Sequence, residues 1–402
     1  MARPASFRQT AGAWRVVVAL CCVAYSVLAI GSAADRLVTE HPDLSARVPA
    51  FFASEALRNQ GRQLLEAGDA NGARLKGEAA VDQEPVDPGS TALLGAARFA
   101  LGDRIGADRA FTVAGQLGWR VPLTQLYWMG RALEGGDYRV AGLRLDALLR
   151  QKPELLKDRR LLDPMERDPR GRTAIAERLV RAPNWLRNYT ALDQELPDNV
   201  MRWRAQTLLE MSRLGGSAGC ERIAPITSRL IQINEAKLGQ AIRRAHCFAS
   251  KVAIVYDGNF AAAAVDQSRS DFVWFFLGQE GIDALPQRRK YPATSGLIIR
   301  GNAIRDQIVV RQLVFAPSGT YRLSWKAVGP GGTPTNQILA SLGCGVESID
   351  KITPTYDDTA KKWAATVRLD DGCEARWLKF GAAKGPTDGF LTEVELVPLE
   401  LS

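Results

Sequence analysis

Leu65-Glu66-Ala67-Gly68-Asp69, Phe99-Ala100-Leu101-Gly102-Asp103 and Leu133-Glu134-Gly135-Gly136-Asp137 are three versions of one phrase, and their glycines fall 34 residues apart each time. Asp69, Asp103 and Asp137 keep the same step, and so do Ala73, Ala107 and Ala141. Coincident columns at a fixed period decide architecture before any local propensity does. The physical reading is a pair of antiparallel helices joined by a tight Gly-Asp turn. A small residue early in the second helix lets the two helices cross closely.

Around the second unit, Leu94, Gly95, Ala107, Phe111 and Ala114 occupy the packing positions, while Pro85 and Pro153 close the first and third units. On these residues the stretch from Phe51 to Pro153 resembles the tetratricopeptide-repeat family. The resemblance implies an α-helical solenoid over residues 50–153 whose concave surface receives a protein partner. Three positions depart from the family pattern: Gly77 stands where a large residue is usual, Met129 where a small one is, and Trp119 where a proline closes a unit.

From residue 154 to about 250 the strict period is lost, but helical patterning continues in Arg172–Arg181, Asn199–Leu214, Ile223–Ile233 and Glu235–Cys247. Irregular helical hairpins are predicted there. Asp163-Pro164 and Asp168-Pro169 mark helix starts or turns, because proline is best tolerated at a first helical position. The run from Asp168-Pro169 to Ala182-Pro183-Asn184-Trp185 resembles a motif of tetratricopeptide proteins from bacterial envelope and exopolysaccharide gene clusters, which implies a role in polysaccharide assembly or export.

Near Lys251 the pattern changes to short apolar runs separated by Gly, Pro, Asn and Asp: Val252–Tyr256, Phe272–Phe276, Gly296–Arg300, Gln307–Phe315, Thr320–Val328, Gln337–Cys344, Trp363–Leu369, Ala375–Phe380 and Thr392–Leu399. Such spacing predicts an antiparallel β-sandwich or jelly roll over residues 251–402. Val255-Tyr256-Asp257-Gly258-Asn259-Phe260 with Trp274, then Gly319 to Ala327, then Phe390 to Leu396 resemble the opening, middle and closing strands of galactose-binding-like, carbohydrate-binding modules. The resemblance implies glycan binding. Ala261 follows Phe260 where related modules carry an acidic residue, a departure that argues against their calcium site.

Sugar rings stack an apolar face on aromatic side chains, so Trp325, Trp363 and Trp377, with Tyr321 and Arg322, are the candidate glycan contacts; the competing reading places strand tryptophans in the core. Basic Arg322, Lys361, Lys362 and Arg376 would favour an acidic polymer, although a solvated charge run is the commoner meaning.

Catalytic chemistry finds no setting. Two histidines, His41 and His246, assemble neither a zinc cage nor a histidine relay, and no metal or cofactor motif is present. Gly215-Gly216-Ser217-Ala218-Gly219 matches the G-x-S-x-G pattern, but the residues before it read as helix instead of the strand a nucleophile elbow needs. Gly329-Pro330-Gly331-Gly332 lacks the Lys-Ser/Thr of a phosphate loop and reads as a hairpin connection.

The N-terminus carries Arg3, Arg8 and Arg15 and then nothing charged from Val16 to Ala34. Residues 1–34 are thus an export or anchor segment: an uncleaved membrane helix, or a signal cleaved after the small residues Ser32-Ala33-Ala34. Either way the positive flank stays cytoplasmic and the rest is exported. Cys220, Cys247, Cys344 and Cys373 allow three pairings, of which Cys220 with Cys247 and Cys344 with Cys373 keep each bridge inside one domain. An exported compartment permits both.

The net charge of +8 fits polyanionic partners, but no nucleic-acid motif accompanies it. The expectation is a non-catalytic, periplasm-facing scaffold on the bacterial inner membrane that binds protein through its repeats and glycan through its sandwich. The rivals are a purely protein-docking adaptor and a polysaccharide hydrolase or lyase.

Overall fold

The computed structural model describes residues 6–191, 196–247, 253–263, 271–289 and 294–399. The chain divides into two compact units, Met1–Lys152 and Pro153–Ser402.

The first unit opens with a long apolar helix, α1 (Ser6–Leu37), long and apolar enough to cross a membrane. Three helical hairpins follow: α2 (Ser54–Glu66) with α3 (Ala70–Gln83), α4 (Pro88–Ala100) with α5 (Arg104–Leu117), and α6 (Pro122–Glu134) with α7 (Tyr138–Gln151). The repeated phrase forms the three turns. Gly68, Gly102 and Gly136 sit at φ +84°, +82° and +70°. The amides of Asp69, Asp103 and Asp137 then donate back to the carbonyls of Leu64, Arg98 and Ala132 at 2.8, 2.9 and 2.8 Å, closing each preceding helix in a Schellman motif. Each aspartate carboxylate caps the next helix by accepting from the amide of Gly72, Gly106 or Val140. Ala73, Ala107 and Ala141 are fully buried at the crossings. Gly77 departs from the repeat because a Cβ there would lie 3.1 Å from the Leu94 backbone, so the neighbouring helix occupies its space.

The second unit begins with α8 (Arg159–Arg167), α9 (Pro169–Leu179), α10 (Leu186–Thr190), α11 (Asp198–Arg213), α12 (Cys220–Gln232) and α13 (Ala236–Cys247). Asp168 caps α9 with Pro169 at its first position, as expected. Asp163-Pro164 does not start a helix: Asp158 caps α8, and Pro164 lies inside it. Buried Glu166 holds the helices together by accepting from Arg159 at 2.5 Å and from Arg204 at 3.2 Å, while Arg204 also donates to the Tyr189 carbonyl. The hairpin device recurs without its period, at Gly215 (φ +84°) and at Asn234 (φ +60°).

Among the described residues ten strands form the β-sandwich: β1 (Phe275–Phe276), β2 (Ile282–Arg289), β3 (Thr294–Ala303), β4 (Gln307–Phe315), β5 (Gly319–Val328), β6 (Ile338–Gly343), β7 (Thr355–Asp357), β8 (Lys362–Leu369), β9 (Ala375–Ala382) and β10 (Gly385–Pro398). They pair antiparallel into a four-stranded sheet, β1-β4-β9-β6, and a six-stranded sheet, β2-β3-β10-β5-β8-β7. Leu297, Ile299, Leu323, Trp325 and Leu391 of the larger sheet meet Val310, Val314, Leu378 and Phe380 of the smaller in one core.

Two expected strands differ. Val252 lies outside the described residues, and from residue 253 to Tyr256 the chain bends without entering a sheet. The Gln312 side-chain amide takes the place of a strand partner there, accepting from the Tyr256 amide and donating to its carbonyl, each at 2.9 Å. Of Phe272–Phe276 only the last two residues pair. Edge strand β2 escapes the pattern because it carries Pro286, a residue tolerated only where no neighbour needs its amide.

Candidate functional site

The five residues expected to contact glycan do not converge. Trp325 is 1% exposed, with its ring centroid 5.6 Å from that of Phe380 across the sandwich, and Tyr321 is buried in the same core. Rings so enclosed present no face to a sugar; alternation places both on the inner side of β5, and the competing core reading is the correct one for them. Trp363 lies opposite Trp325 in register, so it shares that inner side and is half-buried against Tyr356, at 5.2 Å between centroids. Trp377, on β9 of the other sheet, is half-buried beneath the Arg311 guanidinium at 5.1 Å, and Arg311 also lies over the Phe275 ring at 5.3 Å. Arg322 faces solvent on the outer side of β5 and pairs with Asp357 at 3.3 Å.

The basic residues expected to attract an acidic polymer are neutralised locally. Lys362 pairs with Glu393 and Glu395, and Lys361 with Asp358. Buried Arg376 donates to the Ala316 carbonyl and to Asp370. No cationic track follows from them.

What does converge lies on the outer face of the six-stranded sheet. Pairing of β3 with β10 sets Arg300 opposite Asp388, and pairing across β3, β10 and β5 lines up Ile298, Phe390 and Val328 in one row. The Gly329-Pro330-Gly331-Gly332 connection rises beside that row, with Gly331 and Gly332 at φ +72° and +80°. Together these residues line a cleft of about 370 Å³. Arg300 donates to Asp388 at 3.2 Å, and both side chains stay largely in solvent. Phe390 is itself enclosed, at 3% exposure, so the cleft offers the half-buried edges of Ile298 and Val328 beside a carboxylate and a guanidinium that can accept from and donate to hydroxyls. Sequence reading passed over it. The available signal was the strand alternation that puts Ile298 and Arg300 on the face opposite Leu297 and Ile299.

A second concave surface lies on the helical hairpins. Ala96 and Phe99 of α4, Phe111 of α5 and Leu123, Leu126, Tyr127 and Gly130 of α6 line an apolar groove of about 280 Å³. Phe111 and Tyr127 stack at 4.0 Å, and Phe99 meets Tyr127 edge-on. The Tyr127 hydroxyl donates to Asp108; burial first, then that carboxylate, pushes the phenol up to about 12. At the rim Arg131 pairs with Asp108 and Glu134. The rim is thus internally matched and the floor is left open to an apolar side chain.

The G-x-S-x-G segment is a turn, as read. Ser217 Oγ donates to the His246 carbonyl, not to its ring. The ring bridges backbone groups: Nδ1 accepts from the Ala218 amide at 3.2 Å, and Nε2 lies 3.0 Å from the Leu208 carbonyl, which assigns the neutral Nε2–H tautomer. Beside it Cys220 joins Cys247, and in the sandwich Cys344 joins Cys373. The Asp257 carboxylate accepts from the amides of Ala262 and Ala263.

No family model and no curated protein matches the chain. Among solved structures it is similar to the enzymatically active domain of tailspike protein 4 from bacteriophage CBA120, at 13% identity and a TM-score of 0.26, covering 38% of this chain and 22% of that one. It is also similar to a "putative sugar binding protein" from Bacteroides thetaiotaomicron, at 13% identity and a TM-score of 0.21, covering 38% of this chain and 96% of that one. Similarities of this size carry no functional argument.

Proposed function

We propose that the chain is a non-catalytic scaffold of the bacterial envelope, held at the inner membrane by α1, that joins a protein partner to a polysaccharide during its assembly or export. The carrying observation is the outer-face cleft, where Arg300 and Asp388 stand beside the Ile298–Phe390–Val328 row. Because Arg300 is matched by Asp388 and faces Asp283 across the β2–β3 register, the ligand the cleft fits is a neutral, hydroxyl-rich glycan and not a polyanion. Equilibrium dialysis of the detergent-solubilised full chain against labelled neutral oligosaccharides tests this. Saturable uptake that Asp388→Ala removes supports it, and no uptake of any neutral glycan by folded protein defeats it.

The groove on α4, α5 and α6 favours a second reading in which the chain is a protein-docking adaptor alone. Polymer retention by the full chain separates the two, because photocrosslinking from position 126 in cells should capture a partner under both readings, while only under the second does the sandwich retain no polymer.

A further inference from the structure

The C-terminal end of α1 is built into the first hairpin. Gly31, Asp35 and Val38 are buried, one helical turn apart. A Cβ on Gly31 would run into the Phe52 ring, so glycine is required for that contact. The Asp35 carboxylate accepts from the amides of Glu55 and Ala56 at 2.8 and 2.9 Å and thereby caps α2. Val38 packs with Ala53 and Ala56. Ser32, Ala33 and Ala34, the small residues of the candidate cleavage site, are therefore helical between two points of attachment.

Phe51 is 82% exposed although it stands edge-on to Phe52, at 5.2 Å between centroids. Its height along α1 is fixed by the Phe52–Gly31 contact. The uncharged stretch Val16–Ala34 spans about 28 Å as a helix, close to the ~30 Å of a bilayer's hydrocarbon core. Gly31 then lies in its last turn, at the membrane interface. Trp14, also exposed, marks the opposite end about 26 Å away at the helical rise. Aromatic rings at both ends of an apolar span are the pattern of interfacial anchoring. Arg36 and Arg47 are exposed in the same segment, but so are Glu40 and Asp43, so the aromatic rings and not net charge carry the interfacial reading.

We infer that α1 is retained on the mature chain and that Phe51 inserts into the phospholipid interface beside it, making a two-point membrane foot that restrains the first hairpin at the bilayer surface. This rests on reading α1 as a membrane helix. The test uses the full chain, made in cells with p-benzoylphenylalanine placed at position 51 or, at the far end of the hairpins, at position 101. Each protein is reconstituted into phosphatidylethanolamine–phosphatidylglycerol vesicles, irradiated and weighed intact. The expected result is a chain that keeps the residues before Asp35, with lipid adducts from position 51 and none above background from position 101. A chain beginning at Asp35 overturns the inference through its premise. A retained anchor with no lipid adduct at 51, or equal adducts at both positions, overturns the foot itself.

Discussion

The groove on the hairpins and the cleft on the sandwich expose opposite kinds of surface. In the groove, aromatic and aliphatic side chains form the open surface and the charged groups are matched to one another at the rim. Binding there gains from removing apolar area from water, about 25 cal/mol per Å². In the cleft, the carboxylate and guanidinium are the open groups and the apolar row lies beneath them. Binding there would exchange a solvated ion pair for hydrogen bonds to hydroxyls, which gives specificity more than affinity. Exposure, not residue type, decides which aromatic rings can bind: Phe99 is available, and Trp325 is not.

The largest effect should come from confusing the two roles. Trp325→Ala is expected to destabilise the second unit by about 3–5 kcal/mol, the usual cost of emptying a large aromatic site in a core. Chemical denaturation would show it as a lower midpoint for the sandwich. If Trp325→Ala left stability unchanged and altered only glycan binding, the contrast between enclosed and available rings would fail.

Acidification comes next. Burial holds the His246 imidazole below its usual 6.5, with the bond to the Leu208 carbonyl opposing in part. The folded chain thus binds this proton less readily than the unfolded chain. Stability should be fully present above about pH 6.5, fall as pH drops below it, and level off beneath the folded pKa. His246→Gln should flatten that limb of a melting-temperature profile, whereas an unchanged profile would relieve His246 of the role.

Smaller still is Gly102→Ala. The substitution forces a Cβ into φ +82° with nothing crowding it, so about 1 kcal/mol is expected from backbone strain alone, measurable in the first unit's unfolding. Arg322→Ala should be smallest, under ~1 kcal/mol, since its pair with Asp357 is exposed. A large loss of glycan binding in Arg322→Ala would move the site along the sheet from Arg300.

How legible these regions were follows from the distance over which their residues act. The Gly-Asp turns work within a few residues, so Gly68, Asp69 and Ala73 and their repeats announced the hairpins, and Schellman closure and capping confirm why. Disulfide pairing was legible for the same reason, each bridge closing a short loop of 27 or 29 residues. Most strands were legible through alternation. The site was not, because Arg300 and Asp388 are 88 residues apart and meet only through the register of β3 with β10. Strand tryptophans were misleading: the glycan reading depended on which side of the sheet each ring occupied, and Trp325 and Trp363 point toward the core while Trp377 sits on the other sheet.

The most direct test is affinity electrophoresis of the detergent-solubilised full chain through gels containing neutral or acidic bacterial exopolysaccharides. Retardation by a neutral polymer is expected, lost in Arg300→Ala and Asp388→Ala and kept in Trp377→Ala. Unchanged mobility in every polymer, or retardation that survives both cleft substitutions, would contradict it.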